Sequence, residues 1–196
     1  MHVRLFRGRR DDARVVPSSR CGGKIEEWAG AIDGLKSARR FAVDGIMPVC
    51  LPDTSCLIHL DRIDRLDLLR ALYDDVRIPP AVRHEYGDAP KGIEVASAPE
   101  EMLVRLLRRT VDAGEAEVIA RATELDNSHA ILDDAAARRE ASELELTVLG
   151  TVGLILRAKQ AGHISAVRPL LDALQGSGFW MSDALYQHAL RRAGEE

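Results

Sequence analysis

Along the chain, short apolar runs alternate with stretches whose apolar residues recur every three to four positions. PVCLP at 48–52 reads as a strand, and SCLIHLDRIDRLDLLRALY at 55–73 as one long or two short helices. DVRIPP at 75–80 reads as a second strand, and PPAVRHEYG as a short helix opened by proline, which suits the first helical turn. IEVAS is a third strand, EEMLVRLLRR a helix and GEAEVIARATEL an amphipathic helix. AILDD is a strand end, AAARREASEL a helix, TVLG a strand and TVGLILRAKQAG a helix ended by glycine. AVRPLLDALQ and SDALYQHALRRAG close the chain as helices. Strands alternating with helices predict βαβ units and a mostly parallel sheet covered on both faces.

The first 46 residues show no such period. Only 24–40 suits a helix there, and Gly30 and Gly34 weaken it. Met47 directly precedes the first convincing element, so the expectation is a basic extension, poorly ordered or not natively translated, followed by one domain over 47–196. A basic arm that touches RNA or a partner is the other reading.

Carboxylates change the picture more than composition does. Asp53 stands where the first strand should end, and in an open parallel sheet that is where ligands sit. Thr54 and Ser55 follow it and fit a helix start, so Asp53 reads either as a cap or as a ligand. Glu85 shares a helical face with Ala81 and Val82, either inward or at the helix edge. Glu115 begins the stripe continued by Val118, Ile119, Ala122 and Leu125, whereas Glu117, Arg121 and Glu124 form the opposite row, with Glu117 and Arg121 an expected i,i+4 surface pair. Asp133 and Asp134 repeat the strand-end position of Asp53, and one of them is a candidate cap.

Four or five acids at one sheet edge would repel one another and raise their own pKa values. A divalent cation resolves this, because Mg²⁺ and Mn²⁺ prefer hard oxygen ligands. It also answers a charge puzzle. Residues 1–46 carry 10 of the 27 Lys+Arg and 6 of the 31 Asp+Glu, leaving the rest of the chain at −8. Such a body is a poor footprint for phosphate backbones unless an ion recruits them.

Other chemistries find little support. Cys21, Cys50 and Cys56 form neither a disulfide framework nor a CxxC pair. The six histidines lack HxH or HExxH spacing and read as surface or half-buried residues, with His84 a possible substrate contact beside Glu85. G-x-S-x-G, GxGxxG and GxxxxGK[ST] do not occur. Phe179 and Trp180 read as core or dimer contacts. No apolar stretch reaches the roughly 20 residues of a membrane helix, and no apolar leader follows the basic start, so a cytoplasmic protein is expected.

PDTSCLI at 52–58, IPPAVRHE at 78–85, DAGEAEVIARA at 112–122, ILDDAAARR at 131–139 and VLGTVGLILRAKQAG at 148–162 together resemble a PIN-domain protein of the branch related to VapC-type toxin ribonucleases. The likeness spans about residues 48 to 195. It implies a three-layer α/β/α fold, Mg²⁺- or Mn²⁺-dependent endoribonuclease activity on RNA, frequent homodimerisation and often a small antitoxin partner. The family's acids map to Asp53, with Ser55 as a nearby hydroxyl, to Glu85, to Glu115 and to Asp133 or Asp134, the first of the pair matching better. Arg138 matches a recurrent arginine that could contact the phosphate backbone, or else lies on the helix surface. Cys56 and His59 depart from the smaller or apolar residues more usual after DTS. Two rivals are a PIN-like binding module without catalysis and an aspartyl phosphoacceptor protein using Asp53. Ser55 stands where a phosphotransferase of that kind wants a second acid, which counts against the latter.

Overall fold

The computed structural model describes residues 47–196, so the expectations for 1–46 lie outside the described residues. Five short strands are present among the described residues: β1 Val49–Pro52, β2 Arg77–Ile78, β3 Glu94–Val95, β4 Ser128–Ile131 and β5 Thr147–Leu149. Nine helices accompany them among the described residues: α1 Thr54–Arg62, α2 Asp67–Leu72, α3 Pro80–Tyr86, α4 Glu101–Leu107, α5 Ala113–Thr123, α6 Ala135–Glu143, α7 Thr151–Gln160, α8 Arg168–Gly176 and α9 Asp183–Ala193. The long apolar segment after Asp53 therefore makes two helices. Asp64, at φ 54°, turns the chain between them.

All pairings are parallel. β4 lies between β1 and β5, with Pro52 opposite Ile131 and Ile131 opposite Leu149. β2 pairs with β3, and a bridge from Cys50 to Val76 joins this pair to β1. The strand order is thus β3-β2-β1-β4-β5. Successive crossovers run outward to one side of β1 and then return to the other, so the topological switch lies between β1 and β4.

Both sheet faces are covered. Cys50, Leu51, Ala130 and Ile131 are wholly buried although neighbours in a strand point to opposite faces. One helical layer is built around α5, which packs on α3, α4 and α6; the other is built around α7, which packs on α1, α2 and α9. α7 is buried from Thr151 to Ala158, as its nearly continuous apolar sequence dictates. The fold is a three-layer α/β/α sandwich, as the alternation of strands and helices predicts.

Cys56 is part of this core, fully buried in the first turn of α1. His59 packs edge-on against Phe179, with ring centroids 4.9 Å apart. Phe179 is core, whereas Trp180 is exposed. His129 departs from the expectation of a surface or half-buried histidine. It lies in the middle of the sheet, buried, with the Tyr73 hydroxyl 3.0 Å from its Nδ1. Burial, helped by nearby Arg157, lowers its pKa to about 4.

Candidate active site

Five carboxylates gather at the carboxyl edge of the sheet, and each is engaged with the start of a helix. Asp53 directly follows β1, where its N–H donates to the Ile131 carbonyl at 3.0 Å and ties it to the end of β4. Its side chain caps α1, with Oδ1 accepting from Cys56 N at 2.7 Å. Asp133 follows β4 and accepts from Thr151 N at 2.8 Å and Thr151 Oγ1 at 2.5 Å, which anchors the N-terminus of α7. Asp134 caps α6 through Ala136 N and Ala137 N. Glu115 Oε2 accepts from Asp112 N at 3.0 Å, within the first turn of α5. Glu85 reaches the same turn from α3, accepting from Gly114 N at 3.0 Å and from Thr54 Oγ1 at 2.5 Å.

Four helix N-termini, those of α1, α5, α6 and α7, therefore point at one acidic edge. Each offers unsatisfied N–H groups and the positive end of its dipole, worth about 0.3–1 kcal/mol apiece to a nearby anion. This is how the chain holds so many acids together. The alternatives posed for Asp53, cap or ligand, are not exclusive: one oxygen caps, and the other, Oδ2, is buried without a hydrogen-bond partner.

The electrostatics show that the acids share a neighbourhood. Burial raises the Asp53 pKa well above the usual carboxylate range, the charge of Asp133 raises it further, and Glu115 adds to the rise; the Cys56 N–H bonded to Oδ1 and the neighbouring Asp133 N–H, which lies outside hydrogen-bonding geometry, offset only part. Burial likewise lifts Glu115 to about 7, with Asp134, Asp112 and Glu85 contributing repulsion. Among the described residues no three His, Cys, Asp or Glu side chains are grouped closely enough to form a closed cage for an ion. The arrangement suits instead an ion held directly by one or two carboxylates with water completing its shell, the usual mode for Mg²⁺. The donor set, hard oxygens around a buried unpartnered Asp53 oxygen, fits such a cation.

Because the folded pKa of Glu115 lies above its ordinary value of 4.5, its contribution to stability is present below about pH 4.5 and is lost as pH rises through about 7. The loss is at most about 3 kcal/mol. Thermal denaturation in EDTA should show wild type losing stability across that window, while Glu115→Gln, which still accepts from Asp112 N, flattens the slope. Equal slopes would mean that Glu115 does not feel the crowding.

Some residues take roles that the sequence reading assigned elsewhere. The hydroxyl bonded to a carboxylate is that of Thr54; Ser55 is half-buried in the same turn. Arg138 is not on the helix surface. It is buried, and its guanidinium donates to the Leu132 carbonyl at 3.2 Å, bracing the strand end just before Asp133. Glu117 and Arg121 do not form the expected surface pair: Glu117 Oε2 accepts from Ala81 N at 2.8 Å, joining α5 to α3, and Arg121 pairs with Glu124. The single-helix period could not see α3 packing on that row.

Thr151, Gly114 and Asp112 were missed. Thr151 follows the β5 strand end much as Asp53 follows β1, and Asp112 with Glu115 gives the D-x-x-E spacing of a helix start. Gly114 sits at a close approach, since a Cβ there would meet Glu85 Oε2 at 2.6 Å and Thr54 Oγ1 at 3.0 Å. Gly114→Ala should therefore leave stability within about 1 kcal/mol, because the flexible end of Glu85 can move aside and alanine favours the helix. It should also displace that carboxylate and reduce any activity dependent on it by on the order of 10- to 100-fold. Unchanged activity would show that Glu85 need not be held on α5.

A PIN-domain family model matches residues 49–195. No curated protein and no solved structure matches the chain. With a parallel α/β/α sandwich, acids at its switch point and a family match over well more than half its length, the chain belongs to the PIN-domain family.

Proposed function

We propose that the protein is a Mg²⁺- or Mn²⁺-dependent endoribonuclease. The observation that carries this reading is the buried, unpartnered Oδ2 of Asp53 beside Asp133 at the strand switch, an oxygen that calls for a cation. Asp53 and Asp133 would hold the ion, with Glu115 and Asp134 completing the negative field around it. When bound, Mg²⁺ or Mn²⁺ supplies the positive charge that draws a phosphodiester to an acidic edge and makes nearby water more acidic. Glu85 is fixed by Gly114 N and Thr54 Oγ1, and from there would position a water or a second ion. Thr151 keeps Asp133 in place from the N-terminus of a buried helix.

The motifs quoted above extend this reading to the toxin-like branch, with a homodimer and a small antitoxin as partner. A second reading is favoured by one observation: every acid already serves a helix start, so the set could persist in a binding module without catalysis. Cleavage of labelled single-stranded RNA separates the two. The nuclease reading predicts cutting with Mn²⁺ that stops in EDTA and in Asp53→Ala; a module binds RNA without cutting it, and independently of Mn²⁺.

A further inference from the structure

Positive charge in the described residues is largely committed within the body. Seven Lys and Arg side chains pair with carboxylates there. Arg62 and Arg138 donate to the Ser177 and Leu132 carbonyls, so the arginine first matched to the phosphate backbone is turned inward. Arg108 and Arg109 stand apart: both are exposed, and among the described residues neither guanidinium has a hydrogen bond or an ion pair. Their place in the chain sets them beside the acids. They lie in the turn between α4 and α5, which pack on each other, so the turn is at the end of the layer where the α5 N-terminus faces the acidic edge. The turn is firmly tied. Arg109 N, Thr110 N and Val111 N donate to the Leu106 and Leu107 carbonyls, Thr110 Oγ1 donates to Leu107 O at 3.0 Å, and Val111 is buried. Three residues after Arg109, the Asp112 N–H donates to Glu115; two residues further on, the Gly114 N–H donates to Glu85. Three Cα steps of about 3.8 Å limit the Arg109–Asp112 separation to about 11 Å.

We propose that Arg108 and Arg109 form a backbone seat for the substrate, holding phosphates of a single-stranded RNA that neighbour the scissile one; this rests on the nuclease reading. A guanidinium is a planar, always-charged fork that matches a phosphate bidentately. In a body of net charge −8, an adjacent pair of them without a local counter-charge is an exception, and what neutralises it is an anion from outside. A small anion would serve one guanidinium. A strand with a phosphate at every nucleotide serves both, and it extends from them toward Glu115 and Glu85 at the start of α5. Such contacts fix the register of the strand and carry no base preference.

The test is steady-state cleavage of two labelled single-stranded RNAs of different sequence in Mn²⁺ across a salt series. Wild type is compared with the double variants Arg108→Ala/Arg109→Ala and Arg108→Lys/Arg109→Lys. Both positions are exposed, so melting temperatures should hold. The double alanine variant should flatten the dependence of log KM on log salt by about 1.4, roughly 0.7 for each phosphate contact, and raise KM on the order of 10- to 30-fold at about 0.1 M salt. The rise should be equal for both RNAs, with kcat kept. The double lysine variant, which keeps both charges, should retain the wild-type slope. A wild type that cuts RNA with the same salt slope as the double alanine variant overturns the arginine seat and leaves the nuclease reading standing. A wild type that cuts neither RNA overturns the nuclease reading, and the seat with it.

Discussion

Asp53→Asn should melt no lower than wild type in EDTA and yet lose RNA cleavage by more than about 100-fold, since even outer partners of metal ligands cost roughly 10- to 100-fold. The two halves follow from the two oxygens. Asparagine keeps a side-chain oxygen for Cys56 N, so the cap on α1 survives. It removes a buried charge that burial and Asp133 both penalise, so folding without metal gains or breaks even. Mn²⁺ at a hundred times its Kd should stabilise wild type by about 2.7 kcal/mol, or roughly 5–10 °C in a domain of this size. The variant should show little of that shift. Thermal shift with and without Mn²⁺ measures this, and a large loss of metal-free stability would mean that Asp53 is a cap and little else.

Asp133→Ala should fail differently. Asp133 accepts from both the Thr151 N–H and the Thr151 hydroxyl, at the start of a helix buried through eight successive residues. Removing the carboxylate strands two buried polar groups, each costing about 1–3 kcal/mol, against a smaller gain from relief of Asp53. A net loss of about 3 kcal/mol by urea denaturation is expected. Asp133→Asn keeps an acceptor for Thr151 N and should recover most of that stability while remaining inactive. If Asp133→Ala unfolds at the wild-type midpoint, the Thr151 anchor contributes nothing.

What the sequence disclosed and what it withheld divide along the reach of the interactions. Asp53 and the Asp133/Asp134 pair were legible because an acid at the end of an apolar run marks the carboxyl edge of a parallel sheet. The helices were legible from their periods, even where proline or glycine set the ends. Which of the pair caps α6 depended on backbone geometry, and the answer is Asp134. The service of Glu117 to Ala81, the burial of Arg138 and the close fit of Gly114 to Glu85 all arise where separate elements meet. A one-dimensional pattern carries no record of such meetings. The order of the sheet is likewise set by short strands, two of them of two residues, whose neighbours no local signal names.

The central claim is that the carboxylates at the β1–β4 switch form one cation site, crowded enough to hold protons that an ion must displace. Titration calorimetry of the wild type with Mn²⁺ near pH 6.5, repeated in buffers of different ionisation enthalpy, tests it most directly. Ion uptake accompanied by proton release is predicted, because Asp53 and Glu115 are held above their ordinary pKa values and binding requires the charged forms. Absence of Mn²⁺ uptake, or uptake without release of protons, would contradict the account.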